Sequence, residues 1–88
     1  MAWLVDYTET AAKQLRKLDQ HTARRILDFM DERIAGQEDP RSTGKALTGP
    51  IGAYWRYRVG DYRVICDVQD DLFRVLVVEI GNRKEIYR

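Results

Sequence analysis

The sequence predicts an α+β domain of order β-α-α-β-β-β, with a helical hairpin packed on one face of a small, mostly antiparallel sheet. Three observations predict it. Strand-like runs rich in branched and aromatic residues lie at 2–7, 53–59, 62–68 and 72–80, whereas apolar stripes at helical spacing fall within residues 8–36. Gly60-Asp61 joins two strand-like runs in two residues, with glycine where a type II′ hairpin wants it. Finally, neither helical stripe can be buried by two short helices alone, so both need a sheet beneath them.

The elements follow in order. Trp3, Val5 and Tyr7 fall on one face at period two and open the chain as a strand. Thr8 offers a hydroxyl N-cap and Glu9 a carboxylate in the first turn, where the helix dipole favours it. Ala11, Leu15 and Leu18 form the apolar stripe of the first helix, with Lys13, Arg16 and Lys17 off it. Asp19 is the cap of a second helix from Gln20, carried by Ala23, Ile26, Phe29, Met30 and Ile34 and stopped at Gly36. Residues 36–52 hold four glycines and both prolines of the chain and read as a loop, anchored at Ala46-Leu47. Three strands then follow, the last pair joined by Gln69-Asp70-Asp71.

Composition excludes several classes of function. A chain of 88 residues is expected to form one domain over 1–88, and 44% hydrophobic with 33% charged residues excludes a disordered polyelectrolyte. The apolar run Val75-Leu76-Val77-Val78 is too short to span a bilayer, and the N-terminus lacks the pattern of a signal peptide, so a cytoplasmic address is expected. Cys66 is the single cysteine and His21 the single histidine, which leaves no internal disulfide and no basis for a protein-built zinc site or a Cys–His pair. Cys66 is expected to be an inert, partly buried thiol. Glycine-rich phosphate loops are absent, so neither a metal nor a cofactor is expected.

The charge pattern points elsewhere. Net charge is only +1, yet residues 41–63 carry five basic side chains (Arg41, Lys45, Arg56, Arg58, Arg63) and a single acid, Asp61. Alternation puts Trp55, Tyr57 and Val59 toward the helices and Tyr54, Arg56 and Arg58 on the other face, with Arg63 beside them on the next strand. One reading is a solvated face whose arginines pair with Asp61, Asp67 or Glu79. The other is a set of guanidinium groups converging on a phosphodiester, with the tail residues Arg83, Lys84, Tyr87 and Arg88 at its rim. An arginine- and tyrosine-rich sheet surface also suits RNA, whose unstacked bases stack on both side-chain types.

Two motifs sharpen the choice. Trp55-Arg56-Tyr57-Arg58-Val59-Gly60-Asp61-Tyr62-Arg63-Val64-Ile65 and Gly81-Asn82-Arg83-Lys84-Glu85-Ile86-Tyr87-Arg88 resemble the RelE/ParE superfamily of bacterial toxins, the RelE-like branch in particular. Asp6-Tyr7, the Leu15-Arg16-Lys17-Leu18 helix and Lys45-Ala46-Leu47-Thr48-Gly49 fit the same pattern, so the resemblance spans essentially the whole chain. It implies the fold given above and a cognate antitoxin. It also implies ribosome-dependent mRNA cleavage without a metal or cofactor, with contact to operator DNA only through the antitoxin complex. The 2′-hydroxyl of the RNA would attack the adjacent phosphorus, giving a cyclic phosphate and a free 5′-hydroxyl.

By the same resemblance Arg58, Arg63, Arg83 and Tyr87 are the catalytic candidates, and Lys45, Arg56, Arg58, Lys84 and Arg88 the RNA-binding ones. Arginine keeps its charge at any working pH, so Arg56 and Arg58 are not general bases, and Asn82 stands where many relatives have a histidine. The base is left to Tyr87, Lys84 or a ribosomal group. Two alternatives stay open: a ParE-like, non-catalytic inhibitor of DNA gyrase, and a degenerate toxin that retains only antitoxin binding.

Overall fold

The structure, a computed structural model, describes residues 3–36, 38–49 and 52–82. Strand β1 (Leu4–Tyr7) leads into α1 (Glu9–Lys17) and α2 (Gln20–Phe29), followed by β2 (Lys45–Gly49), β3 (Gly52–Val59), β4 (Tyr62–Gln69) and β5 (Arg74–Asn82). The strands form one sheet in the order β1-β5-β4-β3-β2, with β1 parallel to β5 and every other pair antiparallel.

Both expected caps are formed. The Thr8 hydroxyl accepts from the Ala11 N–H at 3.1 Å and the Asp19 carboxylate from the Thr22 N–H at 3.0 Å. The second helix reaches the expected stop by a different route. Its last turn, Met30–Ile34, is π-helical, closed by the Ala35 N–H donating to the Met30 carbonyl at 2.9 Å. The β3–β4 turn is type II′: Gly60 has φ +60°, and Asp61 is not among the described residues with positive φ.

The residue 36–52 segment departs from expectation. Lys45–Gly49 is a strand rather than loop, so the sheet has five strands where the sequence pattern gave four. Ala46 is exposed and Leu47 only half-buried, so that pair is not the anchor. Aromatic polar tips hold the preceding loop instead. Trp3 Nε1 donates to the Glu38 carbonyl at 2.9 Å, the Tyr57 hydroxyl to the Pro40 carbonyl at 2.6 Å, and Trp55 Nε1 to the Thr43 carbonyl at 2.6 Å. On the solvent side both Arg41 Nη groups donate to the Asp70 carboxylate at 2.9 Å. The β4–β5 link is also longer than expected: a short 3-10 turn over Asp70–Leu72 and then Phe73 precede a strand that starts at Arg74.

The core lies between helices and sheet. Ala11, Ile26, Met30 and Ile34 meet Tyr57, Val59, Val64, Cys66, Val75, Val77 and Ile80. A bulge sets the last of these contacts. Ile65 pairs with Glu79 but Cys66 with Val77, so Val78 is an extra residue on β5. Without it, period two would carry Val75 and Val77 on to Glu79 in the core. With it Ile80 is buried, and Glu79 turns to the other face. The groups freed there bond to α1 and its cap: the Ile80 N–H donates to Gln14 Oε1 at 2.6 Å and the Thr8 hydroxyl to the Val78 carbonyl at 3.3 Å.

Cys66 is fully buried, and that burial raises its thiol pKa well above the ordinary value, so it is the inert thiol expected. Tyr7 presents a different case. Its hydroxyl is buried with no hydrogen-bond partner among the described residues, and burial, with Asp31 and Cys66 nearby, pushes its pKa up to about 12. An unsatisfied buried polar group costs about 1–3 kcal/mol, so Tyr7→Phe is expected to stabilise the fold by about 1 kcal/mol in urea unfolding. The unfolded phenol ionises near its ordinary value of about 10 and the folded one at about 12, so stability falls as pH rises across that interval. Tyr7→Phe should blunt that loss. A variant that instead loses stability at neutral pH would show the hydroxyl to be bonded.

Asp70 gives the acid-side counterpart. Its hydrogen bonds to Arg41 hold the carboxyl below its ordinary value. The stability it contributes is present above the ordinary carboxylate range, near pH 4, and is lost as pH falls through the lowered folded value. In Arg41→Ala the Asp70 titration, followed by carboxyl NMR, should move upward. An unmoved titration would remove the Arg41 clasp from this account.

Candidate functional site

The sheet face away from the helices is laid out by register. Lys45 of β2 lies opposite Arg56 of β3, which lies opposite Ile65 of β4, which pairs in turn with Glu79 of β5. The neighbouring row is Arg58 of β3, Arg63 of β4 and Gly81 of β5. Opposed side chains in a row start about 5 Å apart, and rows two residues apart are separated by about 7 Å. Lys45, Arg56, Arg58 and Arg63 therefore begin at the corners of one small quadrilateral.

They enclose a cavity of about 410 Å³, lined by these four and Gly44, with no acid in its wall among the described residues. Arg56 and Arg63 are half-buried, whereas Lys45 and Arg58 are exposed. Arg58 Nε donates to the Gly60 carbonyl at 3.3 Å, which ties its guanidinium to the β3–β4 turn. Like charges placed directly opposite one another destabilise a sheet, as Arg58 and Arg63 are here. An anion held between them relieves that repulsion, and the planar forks suit phosphate oxygens.

Gly44 is a part of the site that sequence reasoning overlooked. Its φ is +86°, in the left-handed region, and a Cβ there would collide with the Arg56 carbonyl oxygen and the rings of Trp55 and Tyr57. The chain can thus lie flat on β3 just before Lys45, held by the Trp55–Thr43 hydrogen bond. The only signal in the sequence was one more glycine in a glycine-rich loop.

Of the residues singled out from sequence, Lys45, Arg56, Arg58 and Arg63 are brought together. Arg41 is not: it faces Asp70 beyond the cavity. Arg83, Lys84, Tyr87 and Arg88 lie outside the described residues. Asp67, one of the acids considered for pairing, accepts a hydrogen bond from Gln69 Nε2 at 3.0 Å. Among the described residues no three His, Cys, Asp or Glu side chains gather where they could hold a metal ion. The arrangement can bind and polarise an anion. A guanidinium cannot remove a proton, so the described residues supply charge stabilisation and not a base.

Comparison with known proteins identifies the family and the fold. Residues 5–87 match the profile of a family described as ParE toxin of type II toxin–antitoxin system, parDE. Toxin RelE of Mycobacterium tuberculosis is 31% identical over 84 residues, covering 96% of this chain and 84% of that one. The mRNA interferase toxin RelE of Escherichia coli is 30% identical over 90 residues, covering 99% and 92%. In three dimensions the chain superposes on the RelBE2 toxin–antitoxin complex of M. tuberculosis with a TM-score of 0.84 at 23% identity, covering 94% of this chain and 93% of that one. That last likeness shows the shared fold.

Proposed function

Because the chain belongs to the RelE/ParE superfamily of type II toxin–antitoxin toxins, we propose that it is a ribosome-dependent mRNA endonuclease, neutralised by a cognate antitoxin. The observation that carries the reading is the convergence of Lys45, Arg56, Arg58 and Arg63 on one cavity with no acid in its wall among the described residues. Single-stranded RNA fits it: two rows of cations about 7 Å apart offer successive phosphates of an extended backbone a partner each, where a lone phosphate would engage a single row.

The chemistry assigned to the site is transfer of the phosphorus from the 5′-oxygen of the following nucleotide to the 2′-hydroxyl of the nucleotide that carries it on its 3′-oxygen. The P–O5′ bond breaks, a 2′,3′-cyclic phosphate forms, and the leaving oxygen departs as a 5′-hydroxyl. Arg63, half-buried and already aimed, stabilises charge on the non-bridging oxygens, with Arg58 beside it. Arg56 and Lys45 hold the flanking phosphate and bend the backbone toward in-line geometry. The family resemblance assigns Arg83, with Arg63, to the phosphoryl group, Tyr87 to the proton transfer, and Lys84 and Arg88 to contacts along the RNA. The proposed setting is the cytoplasm, and no described helix is long and apolar enough to cross a membrane.

A second reading is favoured by one observation, the ParE description of the matching family: inhibition of DNA gyrase without catalysis. Expression with and without the partner gene separates the two. The first reading expects growth arrest with mRNA ends that fall at fixed codon positions, and plasmid supercoiling unchanged. Loss of supercoiling with intact mRNA would favour the second. No arrest at all would reduce the chain to an antitoxin binder.

A further inference from the structure

The large exposed apolar side chains among the described residues are Leu4, Leu72 and Phe73, at 58%, 61% and 47% exposure, and they sit together. The Leu4 N–H donates to the Phe73 carbonyl at 2.9 Å, and the Phe73 ring stands edge-on to Trp3 with centroids 5.5 Å apart. Phe73 is also the one described non-glycine residue with positive φ, at +48°. That left-handed conformation costs about 1–2 kcal/mol and is usually left to glycine or asparagine. Here it keeps a large ring at the surface. Beside these residues opens a cavity of about 580 Å³, lined by Val68, Gln69, Asp70, Asp71, Leu72 and Arg74. It lies at the far end of β4 from Arg63, six residues or about 20 Å away.

Charge decides what this groove accepts. Asp70 is paired with Arg41, and Arg74 with Asp6 at 3.6 Å and with Gln69 Oε1 at 2.6 Å. Asp71 has no ion pair among the described residues, so the uncompensated charge of the groove is negative. RNA is repelled by it. A second copy of the chain docking here about a two-fold axis would set Asp71 against Asp71. The complementary occupant is a protein segment with large apolar side chains and a cation.

We propose that this groove docks the partner antitoxin, through a segment that seats large apolar side chains on Leu4, Leu72 and Phe73 and sets a lysine or arginine against Asp71. The proposal rests on membership of a toxin–antitoxin family and is independent of the target the basic cavity attacks. Docking here leaves the cavity's own residues untouched, so binding and catalysis are separable by mutation.

The test measures affinity of the full-length toxin for its purified antitoxin by calorimetry at two salt concentrations. Leu72→Ser and Asp71→Lys are each expected to weaken binding at least about tenfold, as central anchors of an interface do. Asp71→Lys should also flatten the salt dependence. Neither variant should change mRNA cleavage by the free toxin, and circular dichroism should confirm that both are folded. Phe73→Gly, which suits the left-handed backbone, should behave like Leu72→Ser. Unchanged antitoxin affinity in both Leu72→Ser and Asp71→Lys would overturn the proposal. So would sedimentation showing that the free toxin self-associates through a face that Leu72→Ser disrupts, or loss of ribosome binding in place of antitoxin binding. If all forms, including the parent, fail to cleave mRNA, it is the endonuclease reading that fails, and the affinity result still stands.

Discussion

Arg63→Ala is expected to slow mRNA cleavage by about 10²–10³-fold while the protein stays folded, the loss typical when one preorganised donor is taken from a charge-stabilising site. Arg63 is half-buried between Arg58 and Gly81 and lines the cavity with Arg56 and Lys45. Little conformational freedom is left to lose when a phosphate arrives, which is why its removal should cost more than removal of the exposed Arg58. The fold should persist, because Arg63 lies outside the helix-side core cluster. Parallel cleavage rates and thermal melts check both halves. Cleavage unchanged in Arg63→Ala would return the arginines to a solvated strand face.

Gly44→Ala is expected to damage the fold and the site together. The left-handed backbone alone costs an alanine about 1–2 kcal/mol. The new methyl also meets the Arg56 backbone carbonyl, which is held in the middle of β3 by pairing with β2 on one side and β4 on the other. In a domain of this size each kcal/mol lowers the melting temperature by about 4–8 °C, so a fall of at least that much is expected. If Gly44 positions Lys45 against Arg56, the variant should also bind RNA more weakly at temperatures where it is still folded. A melt within 2 °C or so of the parent would show that the loop lifts off β3 at little cost.

How far the sequence carried the fold depended on where the information lay. Alternation in 53–59 and 62–68 assigned Tyr57, Val59 and Val64 to the core and the arginines to the opposite face, since period two leaves no other choice once one face is buried. Thr8, Asp19 and Gly60-Asp61 were legible because capping and tight turns are local chemistry. What was missed is non-local. Lys45–Gly49 holds one β-branched residue, Thr48, and no aromatic, and is made into a strand by pairing with β3. The bulge at Val78, which keeps Glu79 out of the core, shows only in the register with β4. Ile65 is 4% exposed although it lies outside the helix-side cluster, on the face that alternation leaves open. At the candidate site the meeting of Arg56, Arg58 and Arg63 was legible from alternation, and that of Lys45 was not, because Lys45 joins Arg56 only through that unforeseen strand. Gly44 was hidden among glycines that do less.

The central claim is that the basic cavity grips RNA for transfer to a 2′-hydroxyl, and the ends of the cut RNA test it most directly. Purified protein should be added to ribosomes programmed with a defined mRNA, beside a verified relative as a positive control. The account predicts cleavage within the ribosome-bound codon, with a 2′,3′-cyclic phosphate on the upstream fragment and a free 5′-hydroxyl on the downstream one. Intact mRNA under conditions where the relative cuts, or fragments with a 5′-phosphate, would contradict it.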